Sequence, residues 1–360
     1  MILRCEMHKN KFKTGLVLSG GGAKGAYQVG VLKYMAEAGM KIDAVSGASI
    51  GALNGAIIAN VKDLTEASVH LTELWQLLVK EPPLKFNKAA VVPYLGYLVL
   101  LGSERFSPIL YQAVEGIKLA ATHDIFEGVQ PYLDLLEFDP SLMKKSPIRD
   151  LIDHYTSPES LKNGLPFYVS AYESESVMTD LTHTFAAALG ISDTKASDFF
   201  HVQSFPAEKQ QDVIMASAAL PLLFTAQRIN GKNYSDGGIG GWKKSQGNTP
   251  ITPLIEKEQC SHVIVTHLTD GSLWNRYDFP DTTILEVRPK KMITKESMMK
   301  DLLGFKADKI NSWIEQGYED AHRCIGDVSK VLQLQETHIN TRLNRDDMIN
   351  QLNNDDFLID

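Results

Sequence analysis

The pentapeptide Gly47-Ala48-Ser49-Ile50-Gly51 follows a short apolar segment, Ile42 to Val45, and precedes a run of small and apolar residues from Ile50 to Asn60. A GxSxG sequence between a strand and a helix has a mechanical meaning. Gly47 and Gly51 allow a sharp turn, the Ser49 hydroxyl stands at its tip, and the amide of Ile50 points to where an oxyanion would form. That is the equipment for nucleophilic attack on an acyl carbonyl. By itself the pentapeptide describes a tight bend before a buried helix equally well, so its surroundings must decide.

One strand earlier stands Gly20-Gly21-Gly22-Ala23-Lys24-Gly25, a loop able to present several unblocked backbone N–H groups. With Ile50 these six residues are the candidate oxyanion hole, with Gly21 and Gly22 as the main donors. Each such donor is typically worth about 3 kcal/mol in the transition state. Lys24 either adds positive charge, holds the loop, or is a solvated surface lysine. Gly20-x-Gly22-x-x-Gly25 also fits a dinucleotide-binding fingerprint, the basis of a nicotinamide-dependent alternative. That fingerprint needs an acidic residue at the far end of the second strand, whereas Asp43 stands at its start and Ser46-Gly47 occupies the required place.

A serine nucleophile needs a base. Histidines 262, 267, 322 and 338 follow the later carboxylates, but none lies in a distinctive loop, and only one strand-helix unit precedes Ser49, unlike the usual order of a Ser-Asp-His hydrolase. The alternative is Asp236 in Tyr234-Ser-Asp-Gly-Gly238, where Gly237 and Gly238 let the backbone carry a carboxylate close to a hydroxyl. The arrangement is then a Ser-Asp dyad. Asp-Gly is also a common hairpin turn, and local sequence leaves that reading open.

These groups need a scaffold. Thr14 to Leu18 and Ile42 to Val45 have the length and apolarity of buried strands, and Val29, Leu32 and Met35 share a helix face that Gly39 ends. Asp63 caps a third helix, with Leu71, Leu74, Trp75 and Leu78 on one side. Further strands are expected at 167–172, 182–186, 263–268 and 283–287, and an amphipathic helix at 296–332. From Lys80 to Pro147 the pattern blurs into Pro and Gly breaks and apolar runs, read as an insertion or lid; Val91 to Leu101 is core packing, an acyl channel or a membrane contact. The Asn- and Asp-rich end from Asn344 reads as a loosely held tail.

The chain has 360 residues, 44% hydrophobic and 22% charged, the composition of a folded protein. Its 36 Lys and Arg against 44 Asp and Glu give a net charge of −8, which repels nucleic acid and anionic membrane alike, so any membrane contact must be mainly apolar. Three scattered cysteines, Cys5, Cys260 and Cys324, form no metal motif or disulfide framework. The N-terminus lacks the apolar stretch of a secretory signal, and no run approaches the roughly 20 residues of a membrane span. The expectation is a cytoplasmic protein with peripheral membrane contact.

The glycine loop, the GxSxG elbow and the distant Asp236-Gly237-Gly238, in this order, resemble the patatin-like phospholipases. Ala216-Ser-Ala-Ala-Leu-Pro221 and Asn248-Thr-Pro250 are similar to two further stretches of that family, and Ile314 to Ala321 to its closing helix. The resemblance implies a three-layer α/β/α fold with a central, mostly parallel sheet. It places the catalytic domain at 14–330, between an N-terminal extension at 1–13 and a tail at 331–360, with the insertion at about 80–147. It also implies hydrolysis of fatty acyl esters of phospholipids or lysophospholipids by Ser49 and Asp236, through an acyl-enzyme and without metal or organic cofactor. A signal- or partner-activated effector, inactive alone, is the alternative, and an activator or a homo-oligomer the expected protein partner.

Overall fold

The computed structural model describes residues 12–61, 63–80, 147–175, 180, 194–219, 226–240, 246–268, 275–291, 293 and 305–355. In chain order the elements are β1 (Thr14–Leu18), α1 (Ala26–Glu37), β2 (Ala44–Gly47), α2 (Ile50–Asn60), α3 (Leu64–Lys80), α4 (Pro147–Tyr155), α5 (Pro158–Asn163), β3 (Phe167–Glu173) and β4 (Asp198–His201). There follow α6 (Ala207–Ser217), β5 (Gln227–Ile229), β6 (Lys232–Asp236), α7 (Thr252–Glu256), β7 (His262–Thr266), β8 (Thr283–Val287) and α8 (Ala307–Asp355).

The strands form one sheet in the order β5-β6-β3-β2-β1-β7-β8, with β4 also paired to β3. From β3 to β8 the pairs are parallel, while β4, β5 and β6 join antiparallel. Alternate residues of the central strands feed two separate apolar clusters. Leu16, Leu18, Val45 and Ile264 belong to the larger, which holds α1, α2, α3 and α6; Val17, Ala44, Val263 and Val265 belong to the smaller, beneath Ile251 and Leu254 beside α7. This split is why β1 and β7 carry continuous apolar runs: a strand covered on both faces has no polar side. The fold is a three-layer α/β/α arrangement around a mixed sheet.

The helices form where their periodicity places them. Val29, Leu32 and Met35 of α1 and Leu71, Leu74, Trp75 and Leu78 of α3 are buried. Asp63 Oδ1 accepts the Thr65 N–H at 2.8 Å, and Gly39 ends α1 with a left-handed φ of 63°. α2 is buried from Gly51 to Ala59, as its small apolar composition requires. α8 lies directly on α1, where a Cβ on Gly30 would stand 1.8 Å from the Ile314 carbonyl oxygen.

The chain past residue 330 is helical, with α8 continuing to Asp355 without a break. Its Asn and Asp residues are interspersed with helix formers, and no Gly or Pro follows Gly326 to stop it. Val331, Leu334, Met348 and Ile349 of this part are exposed. Of the two readings left open for Asp236-Gly237, the hairpin turn does not hold, because the turn of the β6 region lies elsewhere. It is the two-residue turn Asn230-Gly231, with φ of 49° and 86°, between β5 and β6. The strand expected at 182–186 and the segment between Lys80 and Pro147 lie outside the described residues, as do residues 1–11. No helix of the described residues is long and apolar enough to cross a membrane.

Candidate active site

β1 and β2 run side by side in register and both release the chain at the same sheet edge, Leu18 opposite Gly47. The glycine loop and the serine turn are therefore neighbours by construction. The turn closes tightly: a Cβ on Gly47 would stand 2.3 Å from the Gly51 carbonyl oxygen, and one on Gly51 would stand 2.1 Å from that of Leu18. No side chain fits at either position. Between them Ser49 adopts φ 54° and ψ −124°, a conformation that costs a non-glycine residue about 1–3 kcal/mol.

That strain is held by hydrogen bonds. Ala48 N–H reaches the Leu18 carbonyl at 3.1 Å, Gly51 N–H that of Ala48 at 2.7 Å, and Ala52 N–H that of Ser49 at 2.9 Å. The Ser49 N–H itself is accepted by the Ser217 hydroxyl at 3.1 Å. Ser217 is the last residue of α6 and fully buried.

Asp236 arrives from the other side of the chain. β2 pairs with Val169 of β3 through Gly47, and β6 pairs with Ala171 through Asp236, so β6 takes up β3 just beyond the point where β2 leaves it. The carboxylate therefore ends its strand at the level of the serine turn. Its backbone N–H is accepted by the Ala219 carbonyl at 2.9 Å, and its Oδ1 accepts the Gly238 N–H at 2.8 Å. The Ser49 hydroxyl faces the carboxyl group and favours its ionised form, while Oδ2 is buried with no partner in ordinary hydrogen-bond geometry. The serine contact is thus long or poorly aligned, as catalytic contacts often are without substrate. Burial pushes the Asp236 carboxyl up to about 6, and the Ser49 hydroxyl and Gly238 amide offset only part of that rise.

The glycine loop approaches so closely that a Cβ on Gly20 would meet Ser49 Cβ at 2.8 Å and Asn248 Oδ1 at 2.6 Å. Among the described residues, no acceptor is recorded for the N–H groups of Gly21, Gly22, Ala23 or Ile50. Gly22 has a left-handed φ of 58°. The Gly20 N–H is not available in the same way, because Asn248 Oδ1 accepts it at 3.1 Å. Lys24 is buried and has an interaction of its own, so it is not a solvated lysine; its backbone N–H closes the loop onto the Gly21 carbonyl at 3.3 Å.

The Asn248-Thr-Pro250 stretch fastens the site from below. Besides Asn248, Thr249 Oγ1 lies 3.3 Å from Ser19 Oγ, and the Ser46 hydroxyl donates to the Pro250 carbonyl at 2.5 Å. The glycine loop and the end of β2 are thus tied to one short segment. The part played by Ser217 and Asn248 is not readable from residue type; their place in recurring motif stretches is the only signal.

No described histidine is hydrogen-bonded to Ser49. His267 is buried 3.2 Å from Glu286, His262 contacts Ser261, and His322 packs edge-on against Tyr34. Asp43 accepts the Thr14 N–H at 2.9 Å at the start of β1, the opposite end of the sheet from the glycine loop, so it is out of reach of any ribose bound there. Among the described residues no cluster of His, Cys, Asp and Glu has the form of a metal site.

Over 50 residues, 14% of this chain and 3% of the relative, the sequence is 58% identical to a lysophospholipase of Aspergillus terreus. Over 66 residues, 18% of this chain and 5% of the relative, it is 46% identical to the neuropathy target esterase of Drosophila persimilis. The chain thus spans only a small fraction of the length of these relatives. Among solved structures it aligns with VipD of Legionella pneumophila at 14% identity and a TM-score of 0.42, covering 88% of this chain and 67% of that one. It also aligns with the ExoU–SpcU complex of Pseudomonas aeruginosa at 13% identity and 0.36, covering 88% and 51%. The family model for patatin-like phospholipase matches residues 16–254, a stretch that contains the glycine loop, Ser49 and Asp236. The chain belongs to the patatin-like phospholipase family, lipid acyl hydrolases in general.

Proposed function

We propose that the chain hydrolyses fatty acyl esters of phospholipids or lysophospholipids through a Ser49–Asp236 dyad. The observation that carries this reading is the buried Asp236 carboxyl facing the Ser49 hydroxyl beside a loop whose Gly21 and Gly22 N–H groups have no acceptor among the described residues. Asp236 takes the hydroxyl proton as Ser49 Oγ attacks the ester carbonyl, and the amides of Gly21, Gly22 and Ile50 receive the oxyanion. The alcohol leaves with the proton from Asp236, and Ser49 is left acylated. Water then gives a proton to Asp236 and attacks the acyl carbon; the fatty acid departs and Ser49 recovers its proton. The tight turn and its hydrogen bonds hold Ser49 Oγ at the reaction centre in both half-reactions.

The local matches to a lysophospholipase and an esterase support an acyl ester, rather than a phosphodiester, as the bond cleaved. The substrate lies in a bilayer or micelle, so the chain meets lipid as a peripheral protein. Incubating wild type, Ser49→Ala and Asp236→Asn with mixed phospholipids, and identifying released acids and lysolipids by mass spectrometry, tests the reading. Products are expected from wild type alone. Equal products from Ser49→Ala would refute the assignment.

A further inference from the structure

Behind the glycine loop three helices contribute a row of buried polar side chains. Trp75 Nε1–H of α3 donates to Asn54 Oδ1 of α2 at 3.1 Å. Asn54 Nδ2 donates in turn to Gln28 Oε1 of α1 at 2.8 Å and to the Gly25 carbonyl at 3.1 Å. Gln28 Nε2 donates to the Ser19 carbonyl at 2.7 Å. Ser19 and Gly25 flank and close the candidate oxyanion loop, so one connected chain of bonds grips both of its ends.

Placing an amide in an apolar core is costly unless it is bonded, and a hydrophobic pair of the same volume would pack α1 against α2 without that requirement. Gln28 and Asn54 are 1% and 0% exposed, and the contacts named use both of Asn54's polar atoms and both of Gln28's. A fully satisfied buried network fixes geometry more than it adds stability. What it fixes here is the span of a glycine-rich loop, the segment of the site with the most conformational freedom to lose. Without the network the start of the loop is still held, Ser19 by Thr266 and Thr249 and Gly20 by Asn248, but the Gly25 carbonyl loses its side-chain anchor and the amides between are free to tilt.

We propose that Gln28 and Asn54 are positioning residues that set the span of the Gly20–Gly25 loop and so aim its amides at the oxyanion. The proposal rests on Ser49 being the nucleophile. Neither side chain touches the Ser49–Asp236 pair, and both act through the carbonyls of Ser19 and Gly25.

Gln28→Met keeps the volume and leaves the Asn54 bonds to Gly25 and Trp75 in place, so it is the variant expected to fold; Asn54→Leu removes the three bonds to Trp75, Gln28 and Gly25 and leaves that from Gln28 to the Ser19 carbonyl. Trp75→Phe removes only the donor farthest from the loop. Turnover of a short-chain nitrophenyl ester and amide hydrogen exchange of residues 19–25 are measured on each. Gln28→Met is expected to lower kcat about 10- to 100-fold, the effect of a displaced oxyanion donor, with KM changed less than about twofold and faster exchange in the loop. Trp75→Phe is expected to keep most of kcat. Gln28→Met with full kcat and unchanged exchange overturns the proposal, as does a loss that follows only the unfolded fraction. If wild type shows no Ser49-dependent turnover, the hydrolase reading fails by itself. Hydrogen exchange then reads the span of the loop alone: unchanged protection in Gln28→Met overturns the claim that Gln28 sets it, and lost protection upholds that claim while the oxyanion role falls with the hydrolase reading.

Discussion

The Ser217 hydroxyl accepts the Ser49 N–H at 3.1 Å, and two residues further on the Ala219 carbonyl accepts the N–H of Asp236 at 2.9 Å. One helix end therefore grips the backbone of both the candidate nucleophile and the candidate base, residues 187 apart in sequence. The C-terminus of α6 thus adds a second tie between them to the pairing of β2 and β6 on β3.

Ser217→Ala is expected to leave the Ser49 N–H unsatisfied in a dry place, which costs about 1–3 kcal/mol of stability. The serine turn then loses its outer anchor, and kcat is expected to fall at least about tenfold while the protein stays folded. Thermal unfolding and steady-state ester kinetics on the same preparation separate the two effects. Wild-type kcat in a destabilised Ser217→Ala would show that the bond serves folding alone.

Ser49 stands at φ 54° without being glycine. Ser49→Gly and Ser49→Ala should both be inactive, yet they should differ in stability. Glycine relieves the backbone strain and alanine does not, so Ser49→Gly is expected to be the more stable by about 1 kcal/mol despite its looser unfolded state. Urea unfolding of the pair reads this difference directly.

The Asp236 carboxyl is pushed up to about 6 by burial, and it accepts a proton from Ser49 only when ionised. The pH profile of kcat/KM for a neutral ester should therefore rise through about pH 6 and level off above it. A profile flat from pH 5 to 8 would remove Asp236 as the base.

The same shift has a consequence for stability, with the sign set by proton uptake. Between the unfolded value near 4 and the folded value of about 6, the native state binds more protons than the unfolded one, so this group's contribution falls as pH rises through that window. Asp236→Asn still accepts from Gly238 but carries no charge to bury. It is expected to be more stable than wild type by up to about 3 kcal/mol at pH 8, with the gain fading below about pH 4. Thermal unfolding of both proteins at the two pH values checks the crossover.

Gly20→Ala drives a methyl group against Ser49 Cβ and Asn248 Oδ1. Because a displacement of about 1 Å near the reacting atoms can cost about 100-fold, kcat is expected to fall by that order with the remainder of the fold unchanged. Circular dichroism and turnover together test it.

Much of this molecule follows from short-range rules applied to its sequence. β1 and β7 are apolar on both faces, α1 and α3 bury the residues their period predicts, and Gly47 and Gly51 flank the serine because no Cβ fits at either position. Such features depend on neighbours within a few residues, so residue type and spacing carry them. The role of Asp236 is different. Locally it is an Asp-Gly pair, as consistent with a turn as with a base, and only the antiparallel pairing of β6 on β3 moves the turn to Asn230-Gly231 and the carboxyl to Ser49. Ser217, Asn248, Gln28 and Asn54 are ordinary polar residues until the fold brings them within hydrogen-bond distance of the serine turn and the glycine loop. Sequence by itself determined the candidate nucleophile's turn and the strands and helices that carry it; the partner of that serine, the burial that raises the Asp236 pKa and the bonds that hold the loop were decided by tertiary structure, because burial and hydrogen-bond partners belong to contacts between separate elements, from Gln28 on Ser19 to Asn248 on Gly20.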